Sequence, residues 1–75
     1  MTIEQVIGMV FKVDPDELNG SSHRDTIKGW DSMGHLNLIL ELEAEFKVSI
    51  AIADAIEMVS VDKIKAILRN YGVSC

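Results

Sequence analysis

The stretch GWDSMGHLNL, residues 29–38, holds the side chains whose types could do covalent chemistry: Asp31, Ser32 and His35. Acid, serine and histidine are the components of a nucleophilic triad. In a triad one ring nitrogen of the base meets the serine hydroxyl while the acid holds the other nitrogen. Crowding within five positions works against this. Helical spacing could bring His35 near Ser32, but Asp31 would then lie beyond reach of the far nitrogen. The strand–turn–helix elbow G-x-S-x-G is also missing, because in GWDSMG the serine falls one place late. No oxyanion hole can be pointed to. His23 and His35, with scattered acids, lack the ligand spacing that zinc requires, and both are read as surface histidines.

Two roles are left for Ser32. Its hydroxyl could cap a helix by accepting a first-turn N–H, worth about 1 kcal/mol. Alternatively, something becomes attached to it. Asp31 could cap the same helix, with a charge suited to the positive helix end. Two good caps in succession are more than capping needs.

The elements that position this stretch follow from hydrophobic spacing. Ile3, Val6, Ile7, Val10 and Phe11 lie on one helical face, and Thr2 with Gln5 reads as a capping box; this helix ends near Lys12. VDPDEL predicts a single helical turn, with Asp14 as cap, Pro15 at the first position and Leu18 turned inward. Residues 19–31 form a long, polar, turn-rich connection, and at least one of Ile27 and Trp30 should pin it to the core. A second helix is expected over residues 32–46, burying Leu36, Ile39, Leu40, Leu42 and Phe46, with Leu38 widening the apolar arc. Gly34 in its first turn costs about 1 kcal/mol against alanine and leaves the backbone open to close approach. Residues 47–50 read as an extended connector and residues 54–59 as a short third helix with Ala55, Ile56 and Met58. Ser60 caps a fourth helix carrying Val61, Ile64, Ile67, Leu68 and Tyr71, with Gly72 at its C′ position. The expected fold is all-α: a small four-helix bundle of three longer helices and one short one, a single domain over residues 1–75.

Composition narrows the function classes. A chain of 75 residues buries only about 60% of its unfolded surface, so its core is thin and leaves little room for a cleft with a supporting shell. An enzyme is not expected. Twelve acidic against seven basic residues give a formal charge of −5, which disfavours nucleic acid and anionic membranes and favours partners with basic patches. The one cysteine, Cys75, cannot form an internal disulfide or hold a structural zinc. MTIEQVIGMV lacks the basic flank and continuous apolar run of a signal peptide. The most apolar segment, residues 48–56, is too short for a bilayer and is broken by Asp54. A reduced, cytoplasmic setting is expected.

GWDSMGHLNLILELEAEF resembles the modification site and second helix of acyl carrier proteins, whose motif is Asp-Ser-Leu before an amphipathic helix. The likeness covers essentially the whole chain: VDPDEL matches the segment after helix 1, EAEFKVSI the end of helix 2 with its connector, and VSVDKIKAIL the capped final helix. A bare D-S-[LM] tripeptide is weak; in register with four helices and a long first loop it is strong. The resemblance implies that Ser32 carries a 4′-phosphopantetheine arm, transferred from coenzyme A by a separate magnesium-dependent phosphopantetheinyl transferase. It implies acyl-loading and acyl-processing enzymes as partners, and a monomer that does no catalysis itself. A phosphodiester on Ser32 would suit a helix N-terminus. The arm's thiol would hold a thioester, activated because sulfur donates poorly into the carbonyl. On this reading Ser32 is the cap in the apo form and the anchor in the holo form.

The resemblance also assigns neighbours. Asp31 matches the acid that contacts the transferase, Met33 the motif's apolar third residue, close to leucine in volume and adaptable, and Leu40 a partner-facing apolar position. Glu41, Glu43, Asp54 and Glu57 keep negative charge nearby for partner contact. The match departs where bacterial fatty-acid carriers are acidic: here stand Gly34, His35 and Asn37, then Ile52 and Ile56. Because charge patterns choose partners by attraction and exclusion, a dedicated pathway of polyketide, modified-sugar or aminoacyl chemistry is expected over housekeeping fatty-acid synthesis. Small residues such as Ala51, Ala53 and Ala55 could leave room for an acyl chain between helices 2 and 3, or the stripe is plain core. The alternative from another class is an unmodified helical interaction module that keeps the fold without the arm.

Overall fold

The computed structural model of the chain describes residues 1–74; Cys75, and with it the reading of the thiol, lies outside them. Four helices follow in order: α1 (Ile3–Phe11), α2 (Ser32–Phe46), α3 (Ile52–Glu57) and α4 (Val61–Asn70), with a 3-10 turn at Pro15–Glu17. Among the described residues there is no strand, only an isolated antiparallel bridge between His23 and Ser60. The Cα radius of gyration is 10.9 Å, close to the about 11 Å of a compact chain this long. No helix among the described residues is long and apolar enough to cross a membrane.

Local signals set the ends of α1 and α4. Thr2 Oγ1 accepts the Gln5 N–H at 3.1 Å while Gln5 Oε1 accepts the Thr2 N–H at 2.7 Å, a reciprocal capping box. Ser60 Oγ accepts the Lys63 N–H at 3.2 Å, and Gly72 follows α4 with φ +85°. Asp14 Oδ1 accepts the Asp16 N–H at 2.9 Å and starts the 3-10 turn.

The core is apolar throughout, with no buried polar or charged side chain among the described residues. Ile3, Val6 and Ile7 of α1 meet Leu38, Ile39 and Leu42 of α2 and Val61, Ile64 and Leu68 of α4. Met58, just after α3, closes it. On α2 the buried stripe differs from expectation: Gly34, Leu38, Ile39 and Leu42 face inward, whereas Leu36 and Leu40 are about half exposed, at 51% and 53%, and Phe46 is partly buried. The apolar arc of α2 spans more than one face, so periodicity alone does not choose the side. Packing of α1 along α2 chooses it, and α3 is too short to cover the remainder.

Two further segments depart from the sequence reading. Helix α3 begins at Ile52, two residues before the expected start, and its N-cap Ala51 offers no side-chain acceptor that would mark it. Residues 47–50 form no strand: Lys47 caps α2 in the left-handed region at φ 55°, Val48 N–H reaches the Glu43 carbonyl at 3.2 Å, and Ile50 N–H donates to Glu43 Oε2 at 2.8 Å.

The long connection is ordered by the start of α4. The Ser22 and Gly20 carbonyls accept the N–H groups of Val61 and Asp62 at 2.9 and 3.2 Å, and Arg24 N–H donates to the Val59 carbonyl at 3.1 Å. The loop thereby satisfies first-turn amides that α4 cannot satisfy itself. Both Ile27 and Trp30 are buried, in keeping with the expectation that at least one of them anchors the loop.

One ion pair joins α1 to α4: Lys65 Nζ donates to Glu4 Oε2 at 2.6 Å. That hydrogen bond holds the Glu4 carboxyl below its usual value, against the opposing effect of partial burial. The unfolded chain therefore takes up a proton first on acidification, so the stabilisation is whole above about pH 5 and lost as pH falls through the native value. Glu4→Gln is expected to cost about 0.5 kcal/mol at neutral pH in urea denaturation. The gap between variant and wild type should close on acidification.

Candidate functional site

The chain turns into α2 through a tight corner. Gly29 has φ +92°, a conformation that side chains resist, and its carbonyl lies where a Cβ on Gly34 would stand; that Cβ would also meet Phe11 Cε1 at 2.8 Å. The first turn of α2 is approached this closely only because residue 34 has no side chain. Trp30 then drops into the core, its indole stacked on the Phe11 ring with centroids 5.2 Å apart.

Asp31 is the N-cap of α2. Its backbone is extended, and its Oδ1 accepts the Gly34 N–H at 2.8 Å. Ser32 is the first helical residue, so the expectation that Ser32 caps the helix does not hold. Only one residue precedes the first turn, and the carboxylate there is the acceptor better matched to the positive helix end. Ser32 is exposed, and its hydroxyl has no protein partner among the described residues. The Ser32 and Met33 N–H groups likewise have no acceptor among them. A group esterified to Oγ would project outward beside two free amides at the positive end of a fifteen-residue helix.

His35 is not a free surface histidine. Trp30 Nε1–H donates to its Nδ1 at 2.8 Å, and its Nε2 lies 2.7 Å from the Ala55 carbonyl of α3. An indole N–H only donates, so Nδ1 accepts and Nε2 carries the proton given to Ala55. Both nitrogens are committed, which removes His35 as a base for Ser32. Asp31, Ser32 and His35 therefore do not assemble a triad. His23 is half-buried, its Nδ1 accepting the Asp25 N–H at 3.2 Å. Among the described residues, no group of three or more His, Cys, Asp or Glu side chains is placed to hold a metal ion.

Beside Ser32 an open groove of about 330 Å³ runs between α2 and α3. Leu36, Ile39 and Leu40 line one wall, Ile52, Ala55 and Ile56 the other. Met33 at 68% and Ile52 at 81% are the most exposed large apolar residues, and most of the others, Leu36, Leu40 and Ile56, lie on the same α2–α3 side. The site acids divide. Glu41 and Glu57 are exposed. Glu43 holds the Ile50 amide, and Asp54 accepts the Tyr71 phenol, whose oxygen in turn accepts the Ala51 N–H at 3.0 Å. That carboxylate keeps the phenol above its usual pKa.

The sequence reading assigned no role at the site to Trp30, His35 as a bridge, or Tyr71. Trp30 and His35 lie five positions apart across a helix start, a spacing with no local signature. Tyr71 meets α3 across 20 residues of chain.

Asp31→Ala should lower stability by about 1 kcal/mol through loss of the cap. Ser32→Ala should change it by less than about 0.5 kcal/mol, since the hydroxyl holds nothing. Equal losses in urea denaturation would contradict the assignment of the cap. No known family model matches the sequence, and no curated protein matches it.

Proposed function

We propose that the chain is an acyl carrier protein, with Ser32 as the attachment point for 4′-phosphopantetheine. The observation that carries this reading is an exposed, unpartnered serine hydroxyl at the first position of α2, directly after a capping aspartate and beside an apolar groove. The residues fit the group: the Ser32 and Met33 amides have no acceptor among the described residues and would be free for an anion at Oγ, and Asp31 already holds the Gly34 amide, so neither task competes with the other. When bound, the arm supplies a terminal thiol that holds an acyl group as an activated thioester. Leu36, Leu40, Ile52 and Ile56 offer apolar surface to a chain or to a partner. Asp31 and Met33 flank the serine for the transferase, with Glu41 and Glu57 as the outward charges.

Intact mass tests this directly. Incubation with coenzyme A, magnesium and a broad-specificity phosphopantetheinyl transferase should add one phosphopantetheine to the wild type and none to Ser32→Ala. No addition to folded wild type favours an unmodified interaction module using the same apolar rim.

Within the carrier reading, a dedicated pathway is favoured because Ile52 and Ile56 present apolar surface where an acidic strip would attract basic partners. Housekeeping fatty-acid synthase enzymes should load and elongate the holo protein poorly; efficient elongation would overturn that assignment.

A further inference from the structure

We propose that His35 is a latch that holds α3 against α2 and thereby sets how far the two walls of the open groove beside Ser32 can part; the groove's occupant, an apolar chain, rests on the carrier reading. Helix α3 has only six residues, none of them buried, and no side-chain cap. A helix so short does not persist through its own hydrogen bonds. It leans on α4 more than on α2, and on the α4 side Tyr71 holds it by accepting the Ala51 N–H and donating to Asp54. Toward α2, across the groove, the hydrogen bond is that of His35 Nε2–H to the Ala55 carbonyl, at 2.7 Å.

This donor is aimed from behind. Trp30, buried and stacked near-parallel to the imidazole at 16°, gives its indole N–H to Nδ1. That bond fixes both the ring's orientation and its tautomer, leaving the proton on the nitrogen that faces α3. A buried anchor, an imidazole and a short uncapped helix thus form one chain of hydrogen bonds, one turn from Ser32. His35 is a positioning residue: it touches α3, and α3 forms the far wall of the groove. Releasing the bond leaves α3 held by Tyr71 and by the buried Met58 that follows it, and removes the tie that keeps its groove-lining side from swinging away from Leu36 and Leu40.

Glutamine offers a carbonyl for Trp30 and an N–H for Ala55, whereas leucine offers neither, so the two substitutions separate the bonds from the bulk. In the apo protein, His35→Leu should speed amide exchange in α3 by about tenfold relative to α1 and α4, and His35→Gln should restore most of the protection. Unchanged α3 exchange in His35→Leu, an equal rise in all helices, or no recovery in His35→Gln would overturn the latch. Nitrogen-15 NMR of wild-type His35 guards against a variant that fails to fold: a protonated Nε2 with a bare Nδ1 supports the proposal, and the opposite tautomer refutes it. For the groove, octanoyl-loaded protein carrying His35→Leu should lose its thioester to hydroxylamine about threefold faster than wild type; equal rates refute control of the groove by His35. Failure to load Ser32 at all would count against the carrier reading, while the exchange and tautomer results in the apo protein would stand.

Discussion

A missing methyl group decides where Ser32 stands. The Gly29 carbonyl and the Phe11 ring occupy the space a side chain on residue 34 would need. Because that space is free, the connection folds tightly over the first turn of α2, and Trp30 enters the core. With Trp30 inside, Asp31 is left extended at the helix start, where its carboxylate reaches the Gly34 amide. Ser32 follows as the first helical residue with its hydroxyl outward. The helix propensity sacrificed at Gly34, about 1 kcal/mol, is offset by the burial of an indole, worth more than that. The same corner places Trp30 to hold His35, so one steric permission governs both the position of Ser32 and the groove beside it.

The bundle separates its apolar and polar work. The core among α1, α2 and α4 contains no buried polar side chain, so it requires only shape and hydrophobicity. Helix α3 contributes no buried residue and is secured by partly buried hydrogen bonds to His35 and Tyr71. Elements held in this way open at lower free energy than packed core helices. The groove beside Ser32 therefore has one wall built on the packed core and one held mainly by hydrogen bonds.

Charge follows the same division. Neither α2 nor α3 contains a lysine or arginine, while Lys63, Lys65 and Arg69 lie on α4. Glu43 and Asp54 have internal partners, leaving Glu41 and Glu57 as outward charges around an apolar rim. This face therefore combines a weak negative field with exposed apolar surface.

What the sequence determined by itself lies within a few residues of chain. The Thr2–Gln5 box, the Asp14 and Ser60 caps and the Gly72 terminus depend on hydrogen bonds and steric limits among neighbours. The all-α fold and the bounds of α2 followed from spacing in the same way. The serine at the start of α2 was legible too, because acid, serine and apolar run are contiguous. Tertiary structure decided the rest. Leu36, Leu38 and Leu40 are equally apolar, and only the placement of α1 and the shortness of α3 sent Leu38 inward and the other two out. Asp31 and Ser32 were equivalent caps on paper until the Gly29–Gly34 contact set the backbone of the corner. His35 and Tyr71 found α3 across 20 residues each, and α3 itself began where no local cap marks it. Local geometry is written in adjacent residues; the choice among equally good local options is made by the neighbours that packing brings.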